Sequence, residues 1–140
     1  MKTEKQVTNL EISKKLKELG VKQDSLWYHC EDNYNRQDGK NTITILFSKD
    51  IAKARKHNAP KLEIYSAFTV AELGEIISKD YFSKKFGKDW ICESEIGGGG
   101  DEYGEAEKSI YFQTKAYTEA DCRGLMLIYL IENKSVKNIK

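Results

Sequence analysis

The chain predicts an α+β fold, an antiparallel sheet of about five strands packed with two to three helices, the C-terminal helix being central to the core. The pattern Thr-x-x-acid occurs three times ahead of an apolar run, as Thr8-Asn9-Leu10-Glu11, Thr69-Val70-Ala71-Glu72 and Thr118-Glu119-Ala120-Asp121. In each, the Thr hydroxyl can accept from the amide three residues on, while the acid reaches back toward the cap amide and suits the positive end of the helix dipole. Each therefore marks a helix start. Short alternating segments lie between them, and the resulting order, α-β-β-(α)-β-α-β-β-α, has hairpins but no repeating parallel β-α-β unit. A single antiparallel sheet is the simplest product.

Taken in order, the first helix carries Ile12, Leu16 and Leu19 at helical spacing, and Gly20 stands where a helix C′ glycine belongs. Leu26 to Cys30 reads as a strand. Asn41 to Phe47 alternates Ile43, Ile45 and Phe47 with Thr42 and Thr44, and the polar stretch Glu31 to Lys40, with Asp38-Gly39, is the turn between the two. Asp50 to Asn58 suggests a short helix ended by Asn58-Ala59-Pro60, because a residue before proline avoids the α region. Leu62 to Ala67 forms a strand leading into the second capping box, whose helix places Val70, Leu73, Ile76 and Ile77 on one side despite Gly74. Asp89 to Ile96 and Lys108 to Ala116 read as strands joined by a hairpin tip at Gly97 to Gly104. The last helix, Thr118 to about Asn133, is apolar around its whole circumference from Leu125 to Ile131, so it must be covered on more than one side. Its cover is the core of this chain or a second copy, which makes a homodimer through the C-terminal helix an expectation. Residues 1–133 form one domain, and 134–140 form a frayed polar tail.

Composition narrows the function classes. A chain of 140 residues buries roughly two-thirds of its unfolded surface, enough for a core without staples. The 23 Lys+Arg against 22 Asp+Glu leave a net charge of +1, so no global field draws the protein to nucleic acid or anionic lipid, and any such binding needs a local patch. Cys30, Cys92 and Cys122 are scattered and odd in number, which fits neither a disulfide framework nor a zinc ribbon and suits a reducing cytoplasm. No signal-like apolar segment opens the chain, and the longest apolar run, Leu125 to Ile131, is far short of the ~20 residues that span a bilayer. A cytoplasmic protein without membrane contact is expected.

No motif selects a reaction. Gly99-x-x-x-x-Gly104 has the glycine spacing of a phosphate loop, yet Glu105-Ala106 stands where that loop needs Lys and Ser or Thr, and Asp101, Glu102, Glu105 and Glu107 would repel an anion. The same acids lack the D-x-D-x-D-G progression of a calcium loop. His29 and Cys30 are neighbours in a strand and point to opposite faces, so they cannot pair as base and nucleophile. His57 sits in a basic segment. No catalytic residue, cofactor or metal ligand is therefore assigned. What remains is charge: Lys49, Lys53, Arg55 and Lys56 form the densest basic stretch, with Lys49, Lys53 and Lys56 on one helical side, and Lys84, Lys85 and Lys88 lie among Tyr81, Phe82 and Phe86 as in single-strand binders. A solvated surface and ordinary core packing account for the same residues. Trp27, Tyr28 and Trp90 read as core aromatics.

The words Leu10 to Ser25, Ser66 to Glu75 and Thr118 to Asn133 resemble, in the same order, those of small proteins encoded by bacteriophages and prophages, for which no activity is assigned. The Gly-rich loop is outside the shared pattern. Ile77-Ser78 replaces an expected Leu-Pro, and Cys122 and Gly124 stand where residues such as Ala are typical. The resemblance implies a mobile-element origin and a host-cell cytoplasmic setting, and it implies no cofactor or catalytic residue. The leading expectation is a non-enzymatic accessory protein that binds a macromolecular partner of host or phage. The alternative is a nucleic-acid-binding protein using Lys49, Lys53, Arg55, Lys56, Lys84, Lys85 and Lys88.

Overall fold

A computed structural model of the protein describes residues 2–32, 42–58, 62–77, 81–96 and 110–133. The fold is α+β, but its strands form two sheets rather than one. Strands β1 (Trp27–Asp32), β2 (Thr42–Phe47) and β3 (Leu62–Ala67) pair antiparallel in the order β2-β1-β3, and β4 (Tyr81–Phe86), β5 (Asp89–Ile96) and β6 (Ile110–Ala116) pair in the order β4-β5-β6. Among the described residues there are four helices, α1 (Leu10–Glu18), α2 (Ile51–Asn58), α3 (Val70–Ile77) and α4 (Glu119–Glu132), against the two to three expected. The unforeseen strand is β4. Its pattern is inverted, with Phe82 and Phe86 outward and exposed while Ser83 and Lys85 face inward, so it does not read as a half-buried strand. Pairing with β5 across a two-residue turn holds it, and Gly87 supplies the left-handed conformation there (φ 64°). Of the expected turn Glu31 to Lys40, Glu31 and Asp32 belong to β1 and the rest lies outside the described residues, as do the expected hairpin tip Gly97 to Gly104 and the tail 134–140.

The helix ends show which capping residues act. The α3 box forms as expected: Thr69 Oγ1 accepts from the Glu72 amide (3.2 Å), and Glu72 Oε2 accepts from the Thr69 amide (2.8 Å). At α4, Thr118 Oγ1 accepts from the Asp121 amide (3.1 Å), but Asp121 is spent elsewhere, accepting from the Asn9 amide (2.7 Å). The first box is displaced by one residue. Asn9, not Thr8, caps α1 by accepting from the Ile12 amide (3.0 Å). The other end is as expected: Gly20 (φ 87°) donates to Lys17 and Val21 donates to Leu16, a Schellman stop that also buries Val21 near Leu16.

Thr8 is displaced because it is fully buried and tied to the β3–α3 junction. Its amide donates to the Phe68 carbonyl (2.9 Å), its hydroxyl accepts from the Phe68 amide (3.1 Å) and lies 2.8 Å from Ser13 Oγ, and Val7 bridges Thr69. The Thr8 carbonyl accepts from His29 Nε2 (2.6 Å), which fixes that nitrogen as the protonated one. Residues 2–9 thus form a strap, with a 3-10 turn at Thr3–Lys5, docked on the β3–α3 junction and tied to α4 through Asn9.

Helix α4 is the centre of the core, packed against α1, α3 and the inner face of β4, β5 and β6. Met126, Leu127 and Leu130 are fully buried, and Tyr129 stacks on Phe112 with ring centroids 3.3 Å apart. The chain covers the side of α4 that carries Met126, Leu127 and Leu130, while Leu125, Ile128 and Ile131 stay half-buried. Among the described residues no helix is long and apolar enough to cross a membrane. The crossing of α1 over α4 is close: a Cβ on Gly124 would lie 2.7 Å from Ile12 Cγ2 and 2.9 Å from Thr8 Cγ2. Both are methyls on branched carbons whose χ1 rotation is restricted, so they yield mainly by a shift of the backbone. Gly124→Ala gains about 1 kcal/mol of helix propensity but overpacks the crossing by about 1–3 kcal/mol, so a net loss of stability is expected in urea unfolding. A raised midpoint would show that α1 can retreat without cost.

His29 carries the second prediction. Burial lowers its pKa from the ordinary 6.5, against an opposing pull from the Thr8 carbonyl and the charge of Asp121. Below 6.5 the unfolded chain takes up a proton that the folded imidazole resists, so its contribution is intact above that value and is lost as pH falls toward the folded one. The urea midpoint should fall between about pH 7 and 5, and His29→Gln should flatten that slope. A slope unaltered in the variant would place the acid sensitivity in other groups.

Candidate functional site

Four segments distant in sequence enclose a cleft of about 850 Å³. The strap supplies Lys2, Lys5 and Gln6, and the capped start of α3 supplies Thr69, Val70 and Ala71. The β4–β5 hairpin end supplies Lys85, Lys88 and Trp90, and the β6–α4 junction supplies Tyr117, Thr118 and Glu119. Sheet register explains the hairpin's share. Lys85 stands opposite Trp90, which stands opposite Ala116, so all three sit on the inner face where α4 begins. Trp90 is half-buried, one part of it packed on the core, and its carbonyl accepts from the Cys122 thiol (3.2 Å). Tyr117, by contrast, is 77% exposed.

The sign of the cleft comes from its lysines. Among the described residues lining it, four are lysines and one, Glu119, is acidic. Glu119 is neutralised in place: its Oε1 lies 2.8 Å from Arg123 Nη2 and accepts from Ser83 Oγ (2.5 Å), while Arg123 also reaches Ser83 (2.9 Å) and the Val70 carbonyl (3.4 Å). The start of α3 adds little free positive potential, because Glu72 already accepts there from Thr69 as well as from the Leu26 amide (2.9 Å) and Ser25 Oγ (3.0 Å). Two of the cysteines lie next to cleft residues, Cys92 two positions after Trp90 on the same face of β5 and Cys122 one turn into α4 after Glu119. Both are fully buried, and burial pushes the Cys92 thiol up to about 12 and the Cys122 thiol upward as well. Cys122 also bonds the Thr114 carbonyl (3.3 Å), which marks it as a packing residue rather than a nucleophile.

The basic residues singled out in the sequence are divided by the structure. Lys85 and Lys88 line the cleft. Lys84 does not: as the neighbour of Lys85 in a strand it points to the outer face, 5.7 Å from the Phe82 ring and 4.0 Å from Glu93. Lys49, 5.9 Å from the Phe47 ring, and Lys53 follow β2 of the other sheet and do not line the cleft. The side chains of Arg55, Lys56 and His57 lie outside those described. Sequence reasoning missed Lys2, Lys5 and Tyr117, and it read Trp90 as core alone. The repeat Lys2-x-x-Lys5 was a signal, but only the docking of Val7 and Thr8 on Phe68 and Thr69 shows where those lysines go.

Among the described residues no cluster of three or more His, Cys, Asp or Glu could hold a metal ion. Comparison of the chain with protein families, curated proteins and solved structures found no match. The arrangement is thus a cationic cleft with aromatic residues in its wall and, among the described residues that line it, no paired nucleophile and base. Because Cys30, Cys92 and Cys122 are buried thiols outside any disulfide, a thiol reagent should react with the native protein slowly and with all three thiols only after unfolding. Rapid labelling of Cys92 or Cys122 under native conditions would show that α4 opens away from its sheet.

Proposed function

We propose that the chain is a phage-type accessory protein that acts by binding an anionic macromolecule through this cleft rather than by catalysis. The single observation that carries the reading is convergence: Lys2 and Lys5 of the strap meet Lys85 and Lys88 of a hairpin more than seventy residues away, around one concavity whose only described acid is already paired. Random surface charge in a chain of net +1 has no reason to collect four cations in one hollow. The phage-type origin rests on the resemblance of the three helix-bearing words, and the anionic partner rests on the cleft.

The test is retention on a polyanion. The double reversal Lys85→Glu with Lys88→Glu should lower affinity for heparin at least ~tenfold and flatten its dependence on salt, because fewer counterions are released. The matched reversal Lys49→Glu with Lys53→Glu, away from the cleft, should leave retention close to that of the parent. Equal losses in the two doubles would mean that net charge, not the cleft, governs binding.

A further inference from the structure

We infer that the occupant of the cleft is a single-stranded nucleic acid, a reading that rests on the anionic-partner function above and narrows it. The first support is length. A second hollow of about 350 Å³, bounded by Lys88, Asp89, Lys115, Ala116 and Tyr117, adjoins the cleft and shares Lys88 and Tyr117 with it. Together they make a track that runs from the strap past Lys88 and Tyr117 to the Asp89–Lys115 pair at the rim of the sheet. Asp89 and Lys115, in the row of the sheet that faces outward, are ion-paired with each other (3.1 Å) and cancel, so the free positive charge of the second hollow is that of Lys88. A mononucleotide would fill only part of such a track, whereas a polymer with regularly spaced phosphates can follow lysines placed along it.

The second support is the pair of rings. Trp90 offers a held surface, pinned through its carbonyl to α4, and Tyr117 stands exposed at the junction of the two hollows. Aromatic side chains beside a basic groove stack unpaired bases irrespective of sequence. Duplexes are read by a helix or ribbon that projects into a groove, and here the site is concave with its helices contributing only their first turns to the wall. An acidic protein segment would satisfy the lysines but carries a ring only at scattered positions, whereas every nucleotide brings one beside its phosphate.

The chain has two tryptophans, so Trp27→Phe leaves Trp90 as the sole reporter while keeping a ring against Phe47. Titration of that variant with an oligothymidylate of about ten residues should quench Trp90 emission to saturation, and a duplex of the same length should bind at least ~tenfold more weakly. Tyr117→Ala, at a position exposed enough not to endanger folding, should weaken the oligothymidylate by about tenfold and leave heparin retention unchanged. Equal affinity for duplex and single strand, or a Tyr117→Ala variant that binds the oligothymidylate as the parent does, would overturn the single-strand assignment while the anionic cleft stands. Competition by polyglutamate as effective as by the oligothymidylate would overturn it in favour of an acidic protein segment. Absence of binding to heparin and oligothymidylate at low salt would remove both readings together.

Discussion

The structure turns on the buried polar contacts of Thr8. A fully buried threonine must satisfy its hydroxyl, amide and carbonyl inside the protein, since each left alone would cost about 1–3 kcal/mol. Thr8 does so through three partners from three elements: Phe68 after β3, Ser13 in α1 and His29 in β1. Its methyl meets the bare face of α4 at Gly124. One residue thereby sets the distance between a sheet, two helices and the strap. The neighbouring Asn9 completes the arrangement by capping α1 with its side chain while its amide binds Asp121.

The cleft follows from these contacts. With Thr8 docked, the strap has one place to run, along the starts of α3 and α4, and Lys2 and Lys5 form a wall there. The opposite wall depends on α4 through another set of bonds. Cys122 holds the backbone at Trp90 and Thr114, and Arg123 with Glu119 holds Ser83 of β4. Ser83 occupies the inner face two residues before Lys85, so the same bonds keep β4 in the register that turns Lys85 toward Trp90. The rigidity of the site is thus inherited from the core, and its charge is carried by side chains that contribute little to stability.

Helix positions were legible in the sequence where the signal is local. The Thr69–Glu72 and Thr118–Asp121 caps and the Gly20 stop depend on neighbours within a turn or two, and each is found in place. The Thr8 box failed for a non-local reason, because burial against Phe68 claimed its hydroxyl and left the cap to Asn9. Strand β4 was hidden by an alternation that places phenylalanines outside, and without it the single-sheet expectation followed. The site was legible only in fragments. Lys84, Lys85 and Lys88 look like one cluster along the chain, yet the two-residue period of a strand sends Lys84 away from the others. Their true companions, Lys2 and Lys5, are brought in by tertiary contacts that no local pattern encodes.

The bond between Asn9 and Asp121 spans 112 residues, one of the longest separations the chain can close. Contacts of that range are entropically late: helices and hairpins form from near neighbours first, and distant segments meet after them. The hairpin side of the cleft can thus exist before its strap side does. The groove is completed only when the amino-terminal segment meets α4, in the same long-range contacts that seat Thr8 in the core, so Lys2 and Lys5 reach Lys85 and Lys88 no earlier than the core itself is finished.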